Sequence, residues 1–70
     1  MEIARLPRLI PRQKVPEYFP GIISPNTLAK LASEGKGPPF YLIQGKAVYE
    51  TRELWNWLMK QAVRVERFES

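Results

Sequence analysis

Five residues, Gly35-Lys36-Gly37-Pro38-Pro39, decide how the middle of this chain can fold. Glycine loses the most backbone entropy on ordering, and proline fixes φ and lacks an N–H. No regular helix or strand runs through such a stretch. It separates "SPNTLAKLASE", which carries a helix start signal, from "FYLIQGKAVY", which is rich in β-formers. A rigid connector therefore holds a short helix beside a hairpin, with Lys36 at the joint and Lys46 at the hairpin tip.

The helix before the connector is the better defined of the two. Ser24 is a favourable N-cap, Pro25 suits the first helical position, and Gly35 is a C-terminal stop. At roughly 100° per residue, Leu28, Leu31 and Ala32 form one stripe. Asn26, Lys30 and Ser33 form the opposite stripe, with Thr27 and Glu34 beside it. The first stripe is wide enough to dock the helix; the second is polar, with one lysine. After the connector, "QGK" at 44–46 breaks the β-run into a hairpin. The turn is either Gln44-Gly45 or Gly45-Lys46, and a one-residue slip exchanges the two faces.

Earlier residues are less regular. "MEIARLPRLIP" at 1–11 reads as an extended arm, whose Ile3, Leu6, Leu9 and Ile10 can lie across the domain. "RQKVPEYF" at 12–19 reads as a weak first helix that starts near Val15, because Pro16 fits only a first turn. Val15, Tyr18 and Phe19 then face the core, and Pro20-Gly21 stops the helix. Residues 51–65 read as the longest helix, capped by Thr51 or Glu50. Leu54, Trp57, Leu58 and Ala62 share one face of it. Two tryptophans at i and i+2 cannot point the same way, so Trp57 is expected in the core. Trp55 is expected at a rim, covered by the arm or left for a partner. The organisation is an arm at 1–11, a domain at 12–65 and a tail at 66–70.

Composition narrows the function. The chain has 70 residues, enough for one thin core. It contains no cysteine and no histidine, and its seven acidic residues are all glutamate. Without a thiolate or imidazole there is no metal-ligand cluster and no activated serine, so neither an enzyme nor a cofactor is expected. The net charge of +4 and a pI near 9.8 suit a partner that carries phosphate. No run approaches a membrane span. With no export signal at the N-terminus, the expected location is the cytoplasm.

Two short helices, a turn and a hairpin are the layout of a winged helix-turn-helix. The fold class expected is mainly α with a small β-hairpin, in the order helix, turn, helix, hairpin wing, helix. A major groove about 12 Å wide admits one helix that shows polar side chains outward and docks by its inner face. The helix N-terminus adds free backbone N–H groups for a phosphate.

The stretch "ISPNTLAKLASEGKGPPFYLIQGKAVYETRELWNWL" resembles the excisionase-like, or AlpA-like, small helix-turn-helix proteins of the MerR-type winged-helix superfamily. The resemblance rests on Ser24, Thr27 and Leu28, then Gly35, Gly37 and Pro38, then Ile43, Gly45, Lys46 and Tyr49, then Leu54, Trp57 and Leu58. It covers about residues 8–62, and "RLPRLIP" looks like the lead-in of such chains. Gln44 stands where a glycine is common, and Pro16 and "PGII" depart from the usual first helix and turn. The resemblance implies sequence-specific binding of double-stranded DNA by a phage or prophage-type regulator or excisionase. A transcriptional regulator and a small-terminase-type packaging domain are the related roles. The second helix would enter the major groove, and the wing would touch the minor groove or backbone. Carried onto this chain, the expected contacts are Ser24, Pro25, Asn26, Thr27, Lys30, Ser33, Lys36, Gln44 and Lys46. The implied partners are duplex DNA and an integrase or other phage protein, with self-association on DNA. The competing expectation is a protein-interaction module that uses exposed Trp55, Met59 and Phe68.

Overall fold

The computed structural model describes residues 5–66 as a small α/β domain built on a three-stranded antiparallel sheet. Strand β1 (Leu9–Pro11) leads through a single 3-10 turn (Arg12–Lys14) into helix α1 (Val15–Tyr18). Helix α2 (Pro25–Ser33) follows, then β2 (Tyr41–Ile43), β3 (Lys46–Glu50) and helix α3 (Thr51–Lys60). The expected order of helix, helix, hairpin and helix is present, with a strand added in front of it.

That strand refines the reading of an extended arm: residues 9–11 are extended and lie across the domain as expected, and they do so as a strand of the sheet. β1 pairs with β3, with Leu9 opposite Glu50, Ile10 opposite Tyr49 and Pro11 opposite Val48. Ile10 is fully buried. Removing such a side chain from water contributes about 1.5–3 kcal/mol. Thr51 fastens the segment further: its amide donates to the Arg8 carbonyl at 2.8 Å, and its hydroxyl donates to the Pro7 carbonyl. The sheet therefore has the order β1-β3-β2, and the hairpin supplies two of its three strands. Ile3 and Phe68 lie outside the described residues.

The hairpin register is decided by its turn. Ile43 pairs with Lys46, so the two-residue loop is Gln44-Gly45. Both loop residues have positive φ, 52° and 80°, as a type I′ turn requires. Tyr49 and Ala47 consequently point to the same side as Ile10, and Val48 and Lys46 to the other.

The core is a cluster of Ile10, Val15, Phe19, Leu28, Tyr49 and Leu54, one or two from almost every element. Val15 and Phe19 are buried as their spacing predicts, and Tyr18 packs against them. Leu28 is the buried member of the α2 stripe; Leu31 and Ala32 are half-buried. The two tryptophans exchange the roles expected of them. Trp55 packs against the core with its ring stacked on Phe19, centroids 6.2 Å apart. Trp57 is half-buried and is not part of that packing. The cause lies in the helix start. Glu50 is the N-cap, accepting from the Glu53 amide at 2.8 Å. Thr51 behind it is buried and tied to the Pro7 and Arg8 carbonyls, and Leu54, Trp55 and Leu58, three, four and seven positions on, share its side of the helix.

Helix α3 also ends at Lys60, five residues before the expected end at 65. Beyond it Val63 and Val65 are largely exposed, so no apolar contact supports further turns. β-branched residues add little helix propensity of their own.

Candidate nucleic-acid interface

Helix α2 is set by interactions that all lie close to it in sequence. Ser24 Oγ accepts from the Thr27 amide at 3.1 Å, and the Ser24 hydroxyl donates to Thr27 Oγ1 at 2.9 Å. At the other end Gly35 takes φ +70°. Its amide donates to the Ala32 carbonyl at 3.1 Å, and the Lys36 amide donates to the Leu31 carbonyl at 2.9 Å. This pair of bonds is a Schellman motif, and glycine is the residue that adopts its left-handed position without steric cost. Gly37 then crosses tightly under the helix: a Cβ there would lie 3.1 Å from Leu31 Cβ.

These caps fix where the expected contact residues stand. Ser24, Asn26, Thr27, Lys30, Ser33, Lys36, Gln44 and Lys46 are all exposed, and Pro25 is half-buried. Several are already engaged. Ser24 and Thr27 hold each other, and the Ser33 hydroxyl donates to the Lys30 carbonyl at 2.8 Å. The Thr27 hydroxyl keeps its own proton for an outside acceptor. Asn26 and Lys30 are the members of the face with no side-chain hydrogen bond or ion pair among the described residues.

The helix N-terminus offers less than its sequence suggests. Pro25 has no N–H, and the Thr27 amide is taken by Ser24. Among the first three helical positions, the Asn26 amide alone remains for a phosphate. The helix dipole still favours an anion there, by a few tenths to about 1 kcal/mol.

On the hairpin, Gln44 occupies the first turn position and Lys46 opens β3. Lys46 does not stand alone. It lines a cleft of about 490 Å³ with Gly45 on one wall and Arg12, Gln13 and Lys14 on the other. Arg12 is half-buried. Its Nε donates to the Tyr49 hydroxyl at 3.2 Å, and its guanidinium lies 5.2 Å from the Phe40 ring centroid and 5.7 Å from that of Tyr49. Lys14 pairs with Glu17 at 3.1 Å. Sequence reasoning passed over Arg12 because it sits in a stretch that reads as weak helix. Its partner Tyr49 lies 37 positions away, and only the β1–β3 register brings the two together.

The apolar surface is also elsewhere than expected. Met59 is exposed, whereas Trp55 is half-buried with its ring stacked on Phe19. The larger exposed group is on the sheet, where Leu9, Tyr41 and Ile43 flank Val48 on the face turned away from the core. Among the described residues, no helix is long and apolar enough to cross a membrane.

Comparison with protein-family models, with curated proteins and with solved structures finds no match for this chain.

Proposed function

We propose that this protein is a winged-helix domain that binds double-stranded DNA without a catalytic step, with α2 in the major groove and the β2–β3 hairpin as the wing. One observation carries the reading. Helix α2 is anchored by fully buried Leu28, while Asn26, Thr27, Lys30 and Ser33 form an exposed polar face opposite it. A groove-reading helix needs that division: an apolar side that fixes it, and a side whose donors and acceptors meet base edges. Asn26 has the bidentate geometry that suits adenine, and Lys30 can reach guanine or phosphate. Lys36 and Lys46 both follow the helix in sequence, at its end and at the hairpin, and supply backbone contacts. A basic net charge of +4 favours the encounter. The resemblance to excisionase-like chains extends the proposal to a phage-type regulator or recombination factor, for which an integrase is the matching protein partner.

The test is fluorescence anisotropy with labelled duplex DNA over a series of salt concentrations. Three lysine–phosphate contacts give a slope of log affinity on log salt of roughly −3. Lys30→Ala is expected to weaken binding severalfold at constant thermal stability. Binding that Lys30→Ala leaves unchanged would remove α2 as the reading element.

A second reading has its own observation, the exposed apolar sheet face of Leu9, Tyr41 and Ile43. It supports a protein-binding module, and such an interface would be nearly indifferent to salt.

A further inference from the structure

The sheet has two edges, β1 and β2, and they are finished differently. The two-residue turn at Gln44-Gly45 makes Ile43 and Lys46 a hydrogen-bonded pair, and bonding then alternates along the hairpin. Tyr41 bonds to Val48; Leu42, opposite Ala47, does not bond across. The Leu42 N–H and C=O therefore point out of the sheet, where they meet no partner among the described residues. At the other edge the outward residue of β1 is Leu9, which stands between Pro7 and Pro11. Neither proline has an N–H, so that edge is blunted. The β2 edge carries none of the usual guards: no proline, no charge and no bulge from Phe40 to Ile43. Its side chains are apolar on both faces, with Leu42 70% exposed, Tyr41 52% and Ile43 47%.

We infer that β2 pairs with β2 of a second copy of this chain, antiparallel about a two-fold axis at Leu42, to make one six-stranded sheet. The strand's own sequence selects this occupant. In that register Leu42 faces Leu42 of the other copy, and the two exchange a pair of N–H···O=C bonds. Tyr41 faces Ile43 of the other copy, once on each side of the axis. An aromatic ring opposite a β-branched side chain is a favourable cross-strand pair. A foreign strand of arbitrary sequence would meet the same N–H and C=O without these matched side chains. The charges agree. Each chain has a net charge of +4, yet residues 37–45 carry none. The hairpin's own cation, Lys46, lies three strand spacings from its copy, roughly 14 Å, which is beyond the Debye length of about 8–10 Å. The contact is small, about four to six residues a side against 20–30 in a standard interface. The dimer is therefore concentration-dependent and not a constitutive pair. The pairing needs no nucleic acid and stands apart from the DNA reading above.

The test uses the full chain without DNA, followed by NMR as it is diluted from about 1 mM to about 10 μM. Amide hydrogen exchange at Leu42 is expected to slow severalfold at the high end and to return to the rate of an open edge on dilution. Matching chemical-shift changes are expected at Tyr41 and Ile43, and none along α2. In a mixture of isotope-labelled and unlabelled chains, an intermolecular NOE should join Tyr41 to Ile43. Leu42→Pro removes the outward N–H at an edge position where proline leaves the bonds to β3 intact; it should abolish the concentration dependence. Leu42→Lys, at an exposed position, supplies the same readout if the proline variant fails to fold. Leu42→Ile, which keeps an apolar strand former, should retain the dimer. Leu42 exchange that is independent of concentration, or self-association that Leu42→Lys leaves intact, overturns the pairing. Concentration-dependent shifts centred on Leu9 or Met59, with Leu42 exchange unchanged, place the contact on another surface and overturn it as well. A chain that stays monomeric throughout but binds an extended peptide along β2 gives the edge to a foreign strand and overturns the second copy as its occupant. Duplex titration is scored separately: a chain with no dimer that binds duplex keeps the DNA reading, and a dimer that binds no duplex at low salt loses that reading alone.

Discussion

Helix α2 and the Arg12–Tyr49 contact each hold a basic side chain, yet they are assembled in contrasting ways. Everything that shapes α2 lies between Ser24 and Gly37: the cap, the Schellman turn and the close glycine crossing. The Arg12–Tyr49 contact exists only because β1 pairs with β3. The difference has an energetic consequence. Lys30 is a mobile charge on a rigid helix, and fixing such a side chain on a ligand costs up to about 2 kcal/mol of rotamer entropy. Arg12 has already lost that freedom on folding. A local element can thus offer adaptable contacts, whereas a contact assembled from distant segments can offer a preorganised one.

The largest effect that can break this contrast is at Ile10. If β1 is an integral strand, Ile10→Ala should cost about 2–5 kcal/mol, read by urea denaturation. The loss should also abolish the Arg12–Tyr49 contact while α2 keeps its caps. A cost below about 1 kcal/mol would mean that β1 is an accessory and does not hold Arg12 in place.

The tryptophans sharpen it next. Trp55 stacks on Phe19 and Trp57 does not enter the core. Trp55→Ala should therefore cost about 3 kcal/mol and Trp57→Ala about 1 kcal/mol. Equal losses would show that both faces of α3 are packed. This pair marks where sequence reading reached its limit. The period of α3 was legible, but its phase was not. Leu54, Trp55, Trp57 and Leu58 are four apolar residues in five positions, and more than one inward arc satisfies them. The phase follows from Thr51, whose bonds to the Pro7 and Arg8 carbonyls turn its side of the helix, with Leu54, Trp55 and Leu58, inward, while Glu50 takes the cap.

The same distinction sorts the rest of the molecule. The limits of α2, its buried Leu28 and its exposed Asn26 and Lys30 follow from caps and spacing within a dozen residues. The third strand could not be read, because "LIP" at 9–11 is too short and too proline-bounded to signal a strand by itself. It becomes one only where the β3 edge accepts it. The candidate site divides likewise: the polar helix face was visible in the sequence, and Arg12 was not.

The smallest effect concerns the corner that joins the two regions of contact. Gln44 holds φ 52° in the turn that forms the cleft's hairpin wall. A non-glycine residue in the left-handed region costs roughly 1–2 kcal/mol, and asparagine tolerates it better than glutamine. Gln44→Asn relieves part of that strain without the added unfolded-state freedom that glycine would bring. It should stabilise the chain by up to about 1 kcal/mol, a rise in Tm of roughly 4–8 °C for each kcal/mol in a domain of this size. The register is unchanged, so Lys46 stays in place, and duplex affinity through Lys30 should hold. A drop in stability would show that the Gln44 side chain makes a contact worth more than the backbone strain. A drop in duplex affinity at unchanged stability would show that the longer amide reaches the DNA from the wing, which would add a second adaptable hairpin contact beside Lys46.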